Sequence, residues 1–141
     1  MALSLETAQK ILAGVIAYGK QQGLKPLAVS ILDLRGALKA FAAQDGTSLK
    51  RGEIALGKAN GALALGMGTR ALMKRAEQQP YFISAAGAAV GGSLVPVPGG
   101  VLIKQAGAVI GVVGVSGDTS DNDELAAVAG ITGAGLDADG G

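Results

Sequence analysis

Residues 95–125 read VPVPGGVLIKQAGAVIGVVGVSGDTSDNDEL, and this stretch decides the fold. Two apolar runs, 101–104 and 108–115, predict β-strands, and Gly107 supplies the positive φ that a short hairpin turn needs. Prolines and glycines bar regular strand structure just before 101. A polar loop after Gly117 then opens a helix, for which Ser120 or Asp121 is the predicted N-cap and Asp121 with Glu124 a capping box.

The same reasoning extends to the rest of the chain. Helical spacing of apolar residues follows Ser4 and stops at Gly23, and the apolar runs 27–34 and 37–43 flank the turn signal Asp33-Leu34-Arg35-Gly36. Further predicted elements are helices at 51–67, 70–79, 81–90 and 123–131, a short strand at 94–97, and a frayed tail at 133–141. Short turns make the pairing antiparallel, so we predict one α+β domain over 1–141 with a five-stranded antiparallel sheet flanked by helices.

Composition excludes several classes of protein. A net charge of +1 gives no electrostatic case for nucleic acid or an anionic membrane as partner. No window approaches eighteen unbroken apolar residues, and the N-terminal residues lack a basic-then-apolar segment with a cleavage site. We therefore expect a cytoplasmic protein. The chain has no His and no Cys, which removes thiolate catalysis, the Ser-His-Asp triad and the commonest metal ligands.

Small residues crowd the helix at 51–67. Ala55, Gly57, Ala59 and Gly61 predict that another backbone lies close to this helix, since glycines in a helix cost about 1 kcal/mol each relative to alanine unless packing compensates. The apolar content of 49% at a net charge near zero predicts self-association into a homo-oligomer.

Four motifs, in order, carry a resemblance to a known family. They are Val29-Ser30-Ile31-Leu32-Asp33 with Gly36; Ile54-Ala55 with Lys58-Ala59; Pro96-Val97-Pro98-Gly99-Gly100-Val101; and Val109-Ile110-Gly111 through Gly114-Val115-Ser116-Gly117 to Asp123-Glu124. Over about residues 3 to 136 the chain resembles the GlcG/HbpS family, profilin-like domains also found as the C-terminal part of PduO-type proteins and often labelled haem-binding or haem-degrading. The resemblance implies a profilin-like fold, homo-oligomers and a haem or other tetrapyrrole ligand. Without His or Cys, the side chains left to hold haem iron are Tyr18, Tyr81, Met67 and Met73.

The candidate site combines the Pro-Gly-Gly loop, a cation and carboxylates at one edge of the sheet. The predicted ligand-binding residues are Lys58, Pro98, Gly99, Gly100, Ser116, Asp123, Glu124 and Tyr81. Lys58 and Glu124 are also the candidate catalytic residues, and no metal site is predicted. Each feature has a structural alternative: a strained turn for the glycines, helix-dipole stabilisation for the acids, solvent exposure for the lysine, and core packing for the tyrosine.

Two functions stay open from the sequence. One is a binding module for haem or another planar small molecule between the sheet, the central helix and the Pro-Gly-Gly loop. The other is an enzyme of small-molecule catabolism that uses Lys58 and a carboxylate of the last helix. Under either, Lys58→Ala and Glu124→Gln are expected to weaken binding or turnover with little change in melting temperature.

Overall fold

The computed structural model describes residues 2–141 of the chain. Its helices and strands are α1 (Leu5–Gln21), β1 (Ala28–Asp33), β2 (Leu38–Ala43), α2 (Arg51–Leu65), α3 (Thr69–Gln78), α4 (Pro80–Ala89), β3 (Gly100–Gln105), β4 (Ala108–Ser116), α5 (Ser120–Gly133) and β5 (Asp137–Asp139). The strands form one sheet in the order β2-β1-β4-β3-β5, and every neighbouring pair is antiparallel. The predicted α+β class and five-stranded antiparallel sheet are confirmed.

The turn signals account for both hairpins. The side chain of Asp33 accepts hydrogen bonds from the backbone N–H groups of Arg35 and Ala37, and Gly36 takes a φ of 83°. In the second hairpin Ala106 and Gly107 have φ values of 51° and 81°. Two consecutive residues with positive φ form the tight turn whose twist suits antiparallel strands.

The fifth strand was predicted in the wrong place. Residues 94–97 form no strand; instead Val95 and Leu94 pack against Gly57 and Gly61 of α2. The predicted frayed tail is also wrong, because α5 continues through Gly133 and β5 pairs with β3 at the sheet edge. Nζ of Lys104 in β3 lies 2.7 Å from Oδ2 of Asp139 in β5. This ion pair helps to hold the short polar strand β5 in place.

Helices cover both faces of the sheet. α1 and α5 pack on each other and on one face, where they enclose the larger cluster of buried apolar side chains. α2 packs on the opposite face, over β4 and β1, and encloses a smaller cluster around Leu32, Leu102 and Val112. α2 makes few contacts with β2. The part of this second face that β2 forms is therefore left partly open.

The start of α5 differs in detail from the prediction. Thr119, and neither Ser120 nor Asp121, is the N-cap, because its side chain accepts a hydrogen bond from the N–H of Asn122. α5 therefore begins earlier than predicted, and Asp123 is buried in its first turn. None of the helices described within residues 2–141 combines the length and the apolar run needed to cross a bilayer.

Candidate functional site

Lys58 and Asp123 form a buried ion pair at the end of β4. The Lys58 ammonium donates to the carbonyl oxygen of Val115 at 2.8 Å and to Oδ2 of Asp123 at 3.1 Å. The two side chains are 2% and 1% exposed. Since the other Asp123 oxygen accepts from the N–H of Asp118, the pair joins α2, β4 and the start of α5.

Burial dominates the acid–base properties of this pair. Loss of solvent lowers the pKa of Lys58, an effect that the nearby Asp123 carboxylate opposes. Burial likewise raises the pKa of Asp123, against the influence of Lys58 and of backbone N–H groups. The ammonium is 2% exposed and already donates to two acceptors inside the protein, so the geometry adds no support to a catalytic Lys58, which stays a prediction.

The Pro-Gly-Gly loop packs directly on the same ion pair. Gly99 has a φ of 127°, and a Cβ there would lie 2.6 Å from the Val115 oxygen and 2.8 Å from Nζ of Lys58. The N–H of Gly100 donates to the Thr69 hydroxyl at 2.8 Å. Close packing is thus sufficient to explain both glycines, and their role in ligand binding, like that of the buried Pro98, stays a prediction.

Other predicted site residues have separate partners. Buried Ser116 accepts a hydrogen bond from Arg51 at 3.1 Å. Glu124 pairs with Arg70 of α3 and faces away from Lys58, as expected for a residue adjacent to Asp123 on a helix. Tyr81 lies on α4, is 71% exposed, and belongs to a helix that packs chiefly on α3. The structure therefore brings together Lys58, Gly99, Gly100 and Asp123, with Ser116 next to Val115 in the chain, but it does not bring Glu124 or Tyr81 to Lys58.

The acidic residues around the start of α5 do not act as one cluster. Hydrogen bonds from the Asn122 side chain and from the N–H groups of Lys25 and Thr119 lower the pKa of Asp118 to about 2. Asp121 pairs with Arg70. Within residues 2–141, no three acidic side chains are placed to hold a metal ion together.

An apolar groove between α2 and β2 was missed by the sequence reasoning. It has a volume of about 340 Å³ and is lined by Ser30, Leu38, Phe41, Leu49, Gly52, Glu53 and Leu56, and we call it the α2–β2 groove. Leu49, Leu38 and Phe41 are 91%, 56% and 47% exposed, which is unusual for three neighbouring large apolar side chains. The groove exists because α2 lies over β1 and β4 and leaves β2 uncovered.

The inner wall of the groove carries a buried hydroxyl group. Ser30 is 1% exposed, and its Oγ has no hydrogen-bond partner within residues 2–141. It points to the α2 side of the sheet because it lies two residues before Leu32 on β1 and so shares the face on which Leu32 packs with Ala59 and Ala62. A polar residue at the centre of an apolar strand is the sequence signal that could have revealed the groove.

Comparison with known proteins identifies the family. The model of the haem degrading protein HbpS-like family matches residues 3–132. The chain belongs to the HbpS-like family. No curated protein sequence matches the chain.

Solved structures of similar proteins extend over nearly the whole HbpS-like chain. The PduOC–haem complex is 25% identical, covers 96% of this chain and 97% of its own, and has a TM-score of 0.86. Klebsiella pneumoniae ORFY is also 25% identical, with coverages of 94% and 90% and a TM-score of 0.85. HbpS is 26% identical, with coverages of 94% and 89% and a TM-score of 0.81. Both the fold and the recognised family agree with the resemblance found in the sequence.

The donor side chains of this HbpS-like chain do not fit a haem held through its iron. Tyr18 is partly buried against the core beneath α1 and α5, Tyr81 is exposed on α4, and Met67 and Met73 lie after α2 and on α3. None of the four lines the α2–β2 groove.

Proposed function

We propose that this HbpS-like domain is a small-molecule-binding module that holds an edge of a planar, tetrapyrrole-type ligand in the α2–β2 groove. The observation that carries the proposal is the groove itself, whose exposed apolar side chains converge over a buried hydroxyl. Its volume of about 340 Å³ is at the small end of the range of about 300–1,000 Å³ for ligand pockets. Part of a tetrapyrrole, rather than the whole ring system, is expected to enter.

The walls suit a flat apolar surface. Phe41 lies with the edge of its ring next to Gly52 of α2, and it is 47% exposed among the leucines that line the groove. Burying such a side chain fully against a ligand stabilises the complex by about 1.5–3 kcal/mol. Since no His, Cys, Tyr or Met of residues 2–141 lies on the walls, binding rests on contact with the ring and not on a bond to a metal.

Phe41→Ala is expected to weaken tetrapyrrole binding by about 10- to 100-fold. Titrations of protoporphyrin IX and hemin, followed by absorbance and fluorescence quenching, measure the effect. Parent protein should bind the two within about threefold of each other, since iron adds no contact. Leu125→Ala removes a half-exposed leucine from α5 and is the matched control. Failure of the parent to bind either tetrapyrrole, or a saturating His-type low-spin hemin spectrum, would contradict the proposal.

We also propose that the chain forms a homo-oligomer through α4. Residues 79–103 contain no charged side chain, and Ala86, at 8% exposure, is the one residue of α4 that is buried in the single chain. Light scattering at micromolar concentration should give a multiple of 13.8 kDa, and Tyr81→Glu should lower that mass. A parent mass of 13.8 kDa would rule out the assembly.

A further inference from the structure

The inner end of the α2–β2 groove differs chemically from its walls. Ser30 lies on the central part of β1, opposite Phe41 of β2 and Gly114 of β4 in the sheet register. Its hydroxyl is buried without a partner within residues 2–141. A buried hydroxyl without a hydrogen bond costs free energy, so an occupant that supplies a partner gains more than one that is apolar at this point.

The charges around the groove restrict which group can pair with Ser30. Among the lining residues that the structure describes, Glu53 is the one with an ionisable side chain, and its carboxylate pairs with Lys50 at 3.0 Å in an exposed position. Within the described part of the chain, the lining residues therefore offer no cation to compensate a carboxylate buried at the inner end, where a carboxylate would be expensive to desolvate. The group that enters is neutral, a carbonyl or an N–H, and any acidic substituents of the ligand point to solvent.

We propose that the preferred ligand is a metal-free, open-chain tetrapyrrole whose terminal lactam ring enters the groove and hydrogen-bonds to Oγ of Ser30. This inference rests on the proposed function and adds the ligand class and the specifying residue. A terminal lactam carries a neutral carbonyl and an N–H at the outer edge of a flat apolar system. A cyclic porphyrin directs its ring nitrogens to its own centre and presents hydrocarbon groups or propionates at the edge. The serine hydroxyl can donate to the lactam oxygen or accept from its N–H.

Binding of biliverdin and of protoporphyrin IX to the parent protein and to Ser30→Ala tests the proposal. The parent should bind biliverdin more tightly than protoporphyrin IX. Ser30→Ala should weaken biliverdin binding by about 5- to 10-fold, the usual worth of one neutral hydrogen bond, and change protoporphyrin affinity by less than about twofold. Ser84→Ala, at an exposed serine of α4, should leave both affinities unchanged.

The stability of the ligand-free variant provides a second, independent measurement. Since Ser30→Ala removes a buried hydroxyl that has no partner within residues 2–141, its melting temperature should equal or exceed that of the parent. The proposal therefore expects affinity and stability to respond in opposite directions. A general packing defect would lower both.

Several results would overturn this inference while leaving the proposed function intact. These are binding of protoporphyrin IX with no preference for biliverdin, biliverdin affinity that is insensitive to Ser30→Ala, and a clear fall in the melting temperature of that variant. By contrast, dissociation of an oligomer by Leu38→Glu with unaltered biliverdin affinity would assign the groove to a second copy of the chain, and would overturn both this inference and the proposed function. If neither tetrapyrrole binds, the proposed function fails together with this inference.

Discussion

Replacing Lys58 with alanine is expected to lower the free energy of unfolding by about 3–5 kcal/mol, because it leaves Asp123 as an unpaired carboxylate in the protein interior. Asp123 is 1% exposed and lies 3.1 Å from the Lys58 ammonium, so no solvent is at hand to replace the lost partner. Against a typical total stability of about 5–15 kcal/mol, this loss is large. The result would reverse the expectation from sequence that Lys58→Ala leaves the melting temperature nearly unchanged.

Urea denaturation of three variants separates the possible causes. Lys58→Met with Asp123→Leu removes both charges and should recover most of the stability, since replacement of a buried pair by apolar residues is often neutral or favourable. Lys50→Ala breaks an exposed pair with Glu53 and should cost less than about 1 kcal/mol. If Lys58→Ala is as resistant to urea as the parent, Asp123 does not hold the Lys58 ammonium in solution. The ammonium is then available to bind a ligand, as the sequence predicts.

The elements that the sequence predicts correctly are those with local causes. Both hairpins follow from turn residues, and the small-residue helix follows from a run of alanine and glycine that only close packing can stabilise. The structure supplies the expected neighbours: backbone atoms of α2 lie against Gly114, while Leu94 and Val95 lie against Gly61 and Gly57. In these segments each local preference agrees with the final fold.

The elements that the sequence misplaces depend on distant partners. The strand β5 reads Asp-Ala-Asp, which has low strand propensity, and it forms because the open edge of β3 and the ammonium of Lys104 are available. Residues 94–97 have the apolar composition of a strand. Prolines at 96 and 98 and the glycine surface of α2 provide a different way to bury them.

The candidate site shows the same division. Chain order indicates that Ser116 returns beside Gly99, and the structure places the Val115 oxygen 2.6 Å from the position of a Cβ at Gly99. Chain order does not indicate that Lys58 and Asp123 satisfy each other and fill the space between them. The α2–β2 groove was missed for a related reason, since the exposure of Phe41 depends on where α2 lies across the sheet.

Gly114→Ala is expected to cost about 3 kcal/mol or more, at the upper end of the range for overpacked cores. A Cβ at this position would lie 2.0 Å from the carbonyl oxygen of Ala55 and 2.9 Å from the backbone nitrogen of Ala59. Both obstacles are backbone atoms of α2, so no rotamer change can relieve the contact. Within the sheet, Gly114 lies between Ser30 of β1 and Gly100 of β3. Pairing with both strands prevents β4 from moving away from α2.

Chemical denaturation measures the loss of stability in Gly114→Ala, and Gly133→Ala is the matched glycine-to-alanine control. Gly133 ends α5, and no atom of its neighbours in residues 2–141 lies within 4 Å of an added Cβ, so alanine there should change stability by no more than about 1 kcal/mol, in the favourable direction. Because α2 also forms one wall of the α2–β2 groove, displacement of this helix in the Gly114→Ala variant should weaken protoporphyrin IX binding as well. A Gly114→Ala protein as stable as the parent would show that α2 does not lie directly on β4, and the geometry of the groove would have to be revised with it.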